Sequence, residues 1–103
     1  MSFYPLSQGS YTLVPPQSVS VSASSSASVS INFTPQGTAK VFVILNLPSG
    51  VTATITIGGQ TFPLNNGPNT IYVPAGNTIS GITFNNSNSS TVTVSVYVLA
   101  IQP

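Results

Sequence analysis

The sequence predicts an all-β protein: a single antiparallel β-sandwich, jelly-roll-like, with about eight strands and an N-terminal extended arm. Several segments alternate apolar residues with serine or threonine, the period-two pattern of half-buried strands. Turn signals rich in Gly, Pro, Asn and Ser separate these segments at near-regular spacing, which is typical of sandwiches and barrels. No segment shows apolar residues at helical spacing over three turns. A chain of 103 residues is long enough for one such domain.

The beginning of the chain predicts two parts, an arm over residues 1–16 and a β-sandwich domain over 17–103. The arm is rich in apolar residues, but Pro5, Pro15 and Pro16 interrupt any long strand. An apolar segment without a core of its own is expected to pack on something else. That is either the body of its own domain or a neighbouring subunit, as an added strand.

The first strands of the sandwich are expected after the arm. Residues 18–23 and 27–33 alternate serine with apolar residues on either side of a serine-rich turn, which predicts a hairpin with its apolar side chains facing inward. Residues 39–47 are apolar on both faces, with Lys40 at the start. This predicts a central strand, or a strand whose outer face is covered by a partner.

The middle of the chain carries the strongest turn signal. Gly58 and Gly59 predict a tight hairpin between an alternating strand over 51–57 and a short strand over 60–64. Pro63 requires that the short strand lie at a sheet edge or a bulge, because proline has no N–H to donate.

The last third of the chain predicts three more strands, over 70–73, 78–85 and 91–101. The inward-facing phase slips within the second of them, and a bulge at Gly81 would restore it. In the last strand the even positions face inward, and the second half is apolar on both faces. An outer apolar face requires a cover.

The charge pattern excludes most functional classes. The chain has no Asp, Glu, His or Cys, and Lys40 is its only Lys or Arg. Enzymes need groups that change protonation near the working pH, and most metal sites need carboxylate, imidazole or thiolate ligands. We therefore expect no catalytic residue, no metal and no cofactor. One cation cannot neutralise several phosphates, so nucleic acid is not an expected partner. The longest apolar run is too short for membrane insertion.

The formal net charge of +1 also bears on assembly and habitat. A nearly neutral surface lacks the repulsion that keeps copies apart, and so permits dense packing of identical subunits. The alternative is a monomer kept soluble by its hydroxyl and amide groups. Because no carboxylate side chain can lose a native partner on acidification, the fold is expected to be acid-stable. The N-terminus as written has no signal-peptide pattern.

The segment over residues 70–87 resembles small β-domains of virion proteins. It has a strand, the turn Pro74-Ala75-Gly76, a second strand and an Asn/Ser-rich loop, and a valine–threonine strand follows it. Domains of this kind occur in capsid, turret, decoration and tail proteins of phages and acidophile archaeal viruses. The resemblance involves about a third of the chain. It implies a sandwich or jelly-roll fold, no catalysis, symmetric self-assembly and a virion or extracellular location.

These features predict a non-enzymatic structural protein of a virus particle, whose partners are itself and other virion proteins. Its self-association surface is expected on the arm and on the outer faces of two apolar strands. The candidate interface residues are Phe3, Tyr4, Leu6, Phe42, Ile44, Tyr97, Leu99 and Ile101. The first alternative is an extracellular filament or pilus subunit joined by strand donation from the arm.

The second alternative is a lectin-like receptor-binding module for host surface glycans. Aromatic faces beside amide donors suit carbohydrate, and the candidate contacts are Tyr72, Tyr97, Asn77 and Asn85. Three Asn-X-Ser/Thr sequons also make Asn32, Asn85 and Asn88 candidate glycosylation sites. The outward threonine ladders are expected to form the wet face of a sheet.

Overall fold

Eight strands make up residues 9–102, the part of the chain that the computed structural model describes, and these residues contain no helix. In chain order the strands are β1 Gly9–Val21, β2 Ser26–Phe33, β3 Ala39–Asn46, β4 Val51–Ile57, β5 Gln60–Leu64, β6 Gly67–Val73, β7 Ile79–Asn86 and β8 Val92–Gln102. The composition explains this choice, since β-branched and aromatic residues fit a pleated, half-buried surface.

The strands form two antiparallel sheets, ordered β1-β8-β3-β6 (sheet one) and β2-β7-β4-β5 (sheet two). Only the β4–β5 connection stays within a sheet; every other connection crosses from one sheet to the other. This interleaving, with the first and last strands adjacent, is the jelly-roll arrangement. The predicted fold class is therefore confirmed, including the number of strands.

The core lies between the two sheets and is built from alternate residues of each strand. In β8 the buried apolar positions are Val94, Val96, Val98 and Ala100, all on the even-numbered face that the sequence pattern predicted to face inward; Val92 on the same face is half-buried. Phe84 of β7 is the largest fully buried side chain. Burying a side chain of this size stabilises the fold by about 1.5–3 kcal/mol.

The predicted hairpin between residues 18–23 and 27–33 is wrong. β1 pairs with β8 in sheet one, and β2 pairs with β7 in sheet two. The two strands lie on opposite layers of the sandwich and both turn their apolar side chains toward the core between them. Period-two alternation shows which face of a strand is buried, but it is the same whether the next strand lies beside it or across the core.

The predicted arm boundary at residue 16 falls inside β1. This strand pairs with β8 from Gly9 opposite Gln102 to Val21 opposite Val92, and Val14 within it is buried. Register shifts on either side of Val14 accommodate the nearby prolines at the edge of the sheet. Residues 9–16 thus pack on the body of their own domain. The rest of the predicted arm lies outside the described residues.

Three local predictions are confirmed. The β4–β5 hairpin turns through Gly58 and Gly59, both with positive φ, and Pro63 lies in the edge strand β5. The bulge near Gly81 is present: Gly81 is opposite Thr56, but the next pair in the ladder skips one residue of β7. Glycine and proline signals predict well because each acts through its own backbone geometry.

Candidate assembly surface

The outer face of sheet one carries an apolar band across its two central strands. In the β3–β8 ladder Phe42 lies opposite Leu99 and Ile44 lies opposite Tyr97. Ile101 lies two residues beyond Leu99 on β8, on the same face. Ile44 is 45% exposed and Ile101 is 37% exposed; the other three side chains are half-buried. These five residues, hereafter the apolar band, are the predicted interface residues that fall within the described part of the chain. The structure brings all five together on one face.

Polar residues and a proline border the apolar band on both edge strands. On the β6 side Thr70 lies opposite Phe42 and Pro68 lies opposite Ile44. On the β1 side Thr12 lies opposite Leu99. An apolar centre with a more polar rim is the usual anatomy of a protein–protein interface.

A shallow groove of about 370 Å³ opens beside the apolar band, between β1 and β3. Ile44 and Tyr97 line it on one side, and Pro16 and Gln17 line it on the other. Its position follows from β1, whose register against β8 shifts between Val14 and Gln17. The groove is a recess that could accept a side chain from an opposing surface.

The only cationic side chain lies at one end of the apolar band. Lys40 Nζ is 5.4 Å from the centre of the Phe42 ring and 5.9 Å from the centre of the Tyr72 ring. Both distances are within the range of a cation–π interaction. Lys40 is also the partner of Ile101 across the β3–β8 ladder. The charge is thus held at the margin, and the band itself is uncharged.

The outer face of sheet two has the opposite character. Ser28, Thr83 and Thr54 lie side by side on β2, β7 and β4, and the hydroxyl oxygens of Ser28 and Thr83 are 3.1 Å apart. In the next row the Ser26 hydroxyl donates a hydrogen bond to Asn85 Oδ1. Hydroxyl groups that are exposed and bonded to one another form a polar face that is well solvated by water. Among the described residues, the band of large apolar side chains therefore lies on the outer face of sheet one.

The four candidate sugar contacts do not come together. Tyr72 and Asn77 line one groove of about 350 Å³ at the side of the sandwich, together with the exposed Phe62. Tyr97 belongs to the apolar band, and Asn85 lies on the outer face of sheet two. A single site built from all four residues is therefore excluded by the fold.

The three sequons differ in how accessible their asparagines are. Asn32 is exposed where the β2–β7 register shifts, with a φ of 53°, and Asn85 is exposed on β7. Asn88 is half-buried, and its Nδ2 donates to the Ser49 carbonyl at 2.8 Å and to Asn86 Oδ1 at 3.0 Å. A glycan would replace one of the two hydrogens on this nitrogen, so modification of Asn88 would break at least one of these hydrogen bonds.

Asn86 is a structural residue that sequence reasoning missed. It is 3% exposed, and its Nδ2 donates to three carbonyl oxygens, those of Val21, Ser22 and Ser90. Its Oδ1 accepts from both nitrogens of Asn88. The side chain therefore ties together the ends of β1 and β7 and the loop before β8. Nothing in the Asn/Ser-rich run distinguished it from its exposed neighbours.

The described residues contain no group of three or more His, Cys, Asp or Glu side chains, the usual ligands of a metal ion. Residues 9–102 include no helix with the length and hydrophobicity that crossing a membrane requires. The two grooves described above are lined by apolar, hydroxyl and amide groups.

No protein-family model and no curated protein sequence matches the chain. Among solved structures the chain is similar to the C-terminal domain of A223, a structural protein from Sulfolobus turreted icosahedral virus. The two are 20% identical, the match covers 92% of this chain and 100% of that chain, and the TM-score is 0.48. The chain is also similar to FlhE, with 15% identity, 93% and 98% coverage and a TM-score of 0.53. The protein plu4264 from Photorhabdus luminescens is similar at 15% identity, with 99% and 84% coverage and a TM-score of 0.42. What the likeness to FlhE establishes at this identity is the fold.

Proposed function

We propose that the chain is a non-enzymatic structural protein of a virus particle that associates with copies of itself through the apolar band. The observation that carries the proposal is the difference between the two outer faces. Sheet two presents hydroxyl groups to solvent, whereas sheet one presents Phe42, Ile44, Tyr97 and two further apolar side chains. Covering one half-exposed side chain of this size contributes about 1 kcal/mol, and the contact repeats in each copy.

A second copy of the chain is the partner that best fits the apolar band. The band has no charge, and the whole chain has a formal net charge of +1, so two copies meet without appreciable repulsion. Two sheets can pack face to face with interdigitating side chains, as they do inside a sandwich. Other virion proteins would meet the band through the same apolar contact.

The assignment to a virus particle, and with it a virion location, is supported by the fold and composition of the chain and by the resemblance of one segment. A small jelly roll with no acidic or thiol side chain and a single lysine is suited to act through contact between surfaces. The resemblance of residues 70–87 to virion β-domains directs the proposal to a particle. Strand donation by the whole arm is less well supported, because residues 9–16 already pair with β8 of their own chain.

Sedimentation velocity of the purified chain over a concentration series tests self-association. We expect oligomers for the native chain and a shift to smaller species for Ile44→Asn. Thr52→Asn, which places the same amide side chain on the outer face of sheet two, is the control and should behave like the native chain. A native chain that stays monomeric at every concentration would remove the proposal. Mass spectrometry of purified particles tests the virion assignment separately, since self-association without incorporation would contradict the virion role and leave the filament and lectin-like alternatives.

A lectin-like role is the second candidate, favoured by one observation. Phe62 and Tyr72 are 43% and 66% exposed and border the same groove as Asn77, at the open side of the sandwich. Exposed aromatic rings beside amide groups suit a neutral saccharide. A glycan array that gives signals lost in Phe62→Ala, but kept in Ile44→Asn, would favour this role.

A further inference from the structure

A particle built from one face-to-face contact needs a second contact. When a surface meets the same surface of another copy, the pair closes as a two-fold dimer and growth stops. The second contact must lie elsewhere on the molecule. This fold has four strand edges that could provide it, those of β1 and β6 in sheet one and of β2 and β5 in sheet two.

Three of the four edges carry a residue that blocks pairing with another strand. β1 contains Pro15 and Pro16 and two register shifts. β5 contains Pro63, and β6 contains Pro68. Proline has no N–H to donate to a neighbouring strand, and prolines and bulges are the devices by which natural sheets protect their edges.

The β2 edge lacks this protection over most of its length. Its sequence, Ser-Ala-Ser-Val-Ser-Ile-Asn-Phe, has no proline and no charge. From Ser26 to Ser30 it pairs with β7 without a register shift, and the irregularity begins only beyond Ser30. This stretch is therefore a regular strand whose second edge has backbone N–H and C=O groups available to another strand.

The side chains of β2 indicate what would cover the edge. Its inward-facing residues Ala27, Val29, Ile31 and Phe33 all remain half-buried, although the inward-facing side chains of the adjacent β7 are fully buried. Apolar surface is thus left along the edge and would be covered by a strand with the same alternation. The same alternation is present on β2 of a second copy, and neither strand carries a charge that would oppose the pairing.

We infer that β2 pairs with β2 of a second copy in antiparallel orientation, with Ser28 opposite Ser28. Serine then meets serine on the outer face, and apolar side chains meet apolar side chains on the inner face. The two four-stranded sheets become one eight-stranded sheet with a continuous hydroxyl face. This contact extends the proposed self-association but uses different residues, so each can be tested without the other.

Ser28→Lys tests the contact by placing two ammonium groups opposite each other across the two-fold axis. Like charges directly opposite on neighbouring strands oppose pairing, and we expect the dissociation constant of this contact to rise roughly tenfold or more. Ser28→Ala removes the hydroxyl bond to Thr83 without adding charge. Thr52→Lys adds the same charge to the same face on an interior strand. Both controls should associate like the native chain.

Sedimentation velocity and backbone amide exchange of residues 26–30 are measured for Ser28→Lys, Ile44→Asn and the double variant. We expect Ser28→Lys to form dimers joined through the apolar band. We expect Ile44→Asn to form dimers joined through β2, with protected amides, and the double variant to be monomeric. If Ser28→Lys sediments and exchanges like the native chain, the inference is wrong while the proposed function stands. If Ile44→Asn associates like the native chain and Ser28→Lys does not, the proposed association through the apolar band is wrong while the β2 contact stands.

Discussion

Lys40 Nζ lies 5.9 Å from the centre of the Tyr72 ring, and the two residues are direct partners in the ladder between β3 and β6. Phe42, two residues further along β3, lies with its ring centre 5.4 Å from the same nitrogen. The one cationic side chain of the chain is therefore held against two aromatic rings. This arrangement keeps the charge at the end of the apolar band and leaves its centre free for contact.

The Lys40–Tyr72 contact can be measured with a double-mutant cycle. We expect Lys40→Gln and Tyr72→Leu each to lower the free energy of unfolding slightly, with a coupling of about 0.5–1 kcal/mol, because each variant removes one half of the cation–π pair. Urea unfolding of the two single variants and the double variant provides the coupling. Strictly additive effects would show that the ammonium group does not interact with the ring.

Stability should be nearly independent of pH between about pH 2 and 7. The chain has no Asp, Glu or His, so only the chain ends titrate in this interval. The slope of stability against pH is proportional to the difference in bound protons between unfolded and folded states, and that difference is close to zero here. Melting temperatures across a series of buffers at equal ionic strength test this. A clear loss of stability in acid would contradict it.

Gly81→Ala should destabilise the protein by about 1–3 kcal/mol. A Cβ at this position would lie 2.5 Å from the carbonyl oxygen of Val29, and a backbone atom held in the β2–β7 ladder cannot move away easily. Gly37→Ala is the matched control, since its Cβ would meet nothing within 4 Å. We expect the control to change stability by less than about 0.5 kcal/mol. Equal effects in the two variants, measured by urea unfolding, would exclude the steric explanation.

Asn86→Ala should cost about 2–3 kcal/mol of stability, because it leaves the buried carbonyl of Val21 and the partly buried carbonyls of Ser22 and Ser90 without their shared donor. Asn85→Ala, on the exposed neighbour, is the control and should cost much less. Asn86→Asp provides a second check. A carboxylate would face those three carbonyl oxygens, so this variant should lose stability as the pH rises, unlike the native chain. An Asn86→Ala variant as stable as the control would show that the network contributes little.

The sequence predicted those elements that depend on a residue's own backbone or on the faces of a single strand. Gly58 and Gly59 indicated the β4–β5 hairpin, Pro63 indicated an edge strand, and the even valines of β8 indicated the inward face. The apolar band was also predictable, because residues 39–47 and the second half of the strand over 91–101 are apolar on both faces. The pairing of β1 with β8 could not be predicted, because it joins segments about 80 residues apart that share no local signal.

The sequence by itself determined the fold class, the nearly uncharged surface and the strands that are apolar on both faces, since composition and alternation are properties of each strand alone. The tertiary structure alone decided which strands are neighbours. It placed Phe42 beside Leu99, left β2 at an edge without proline, and buried Asn86 where three segments end. The physical reason is that strand order depends on how all eight strands pack around one core, and the sequence of a single segment does not contain that information.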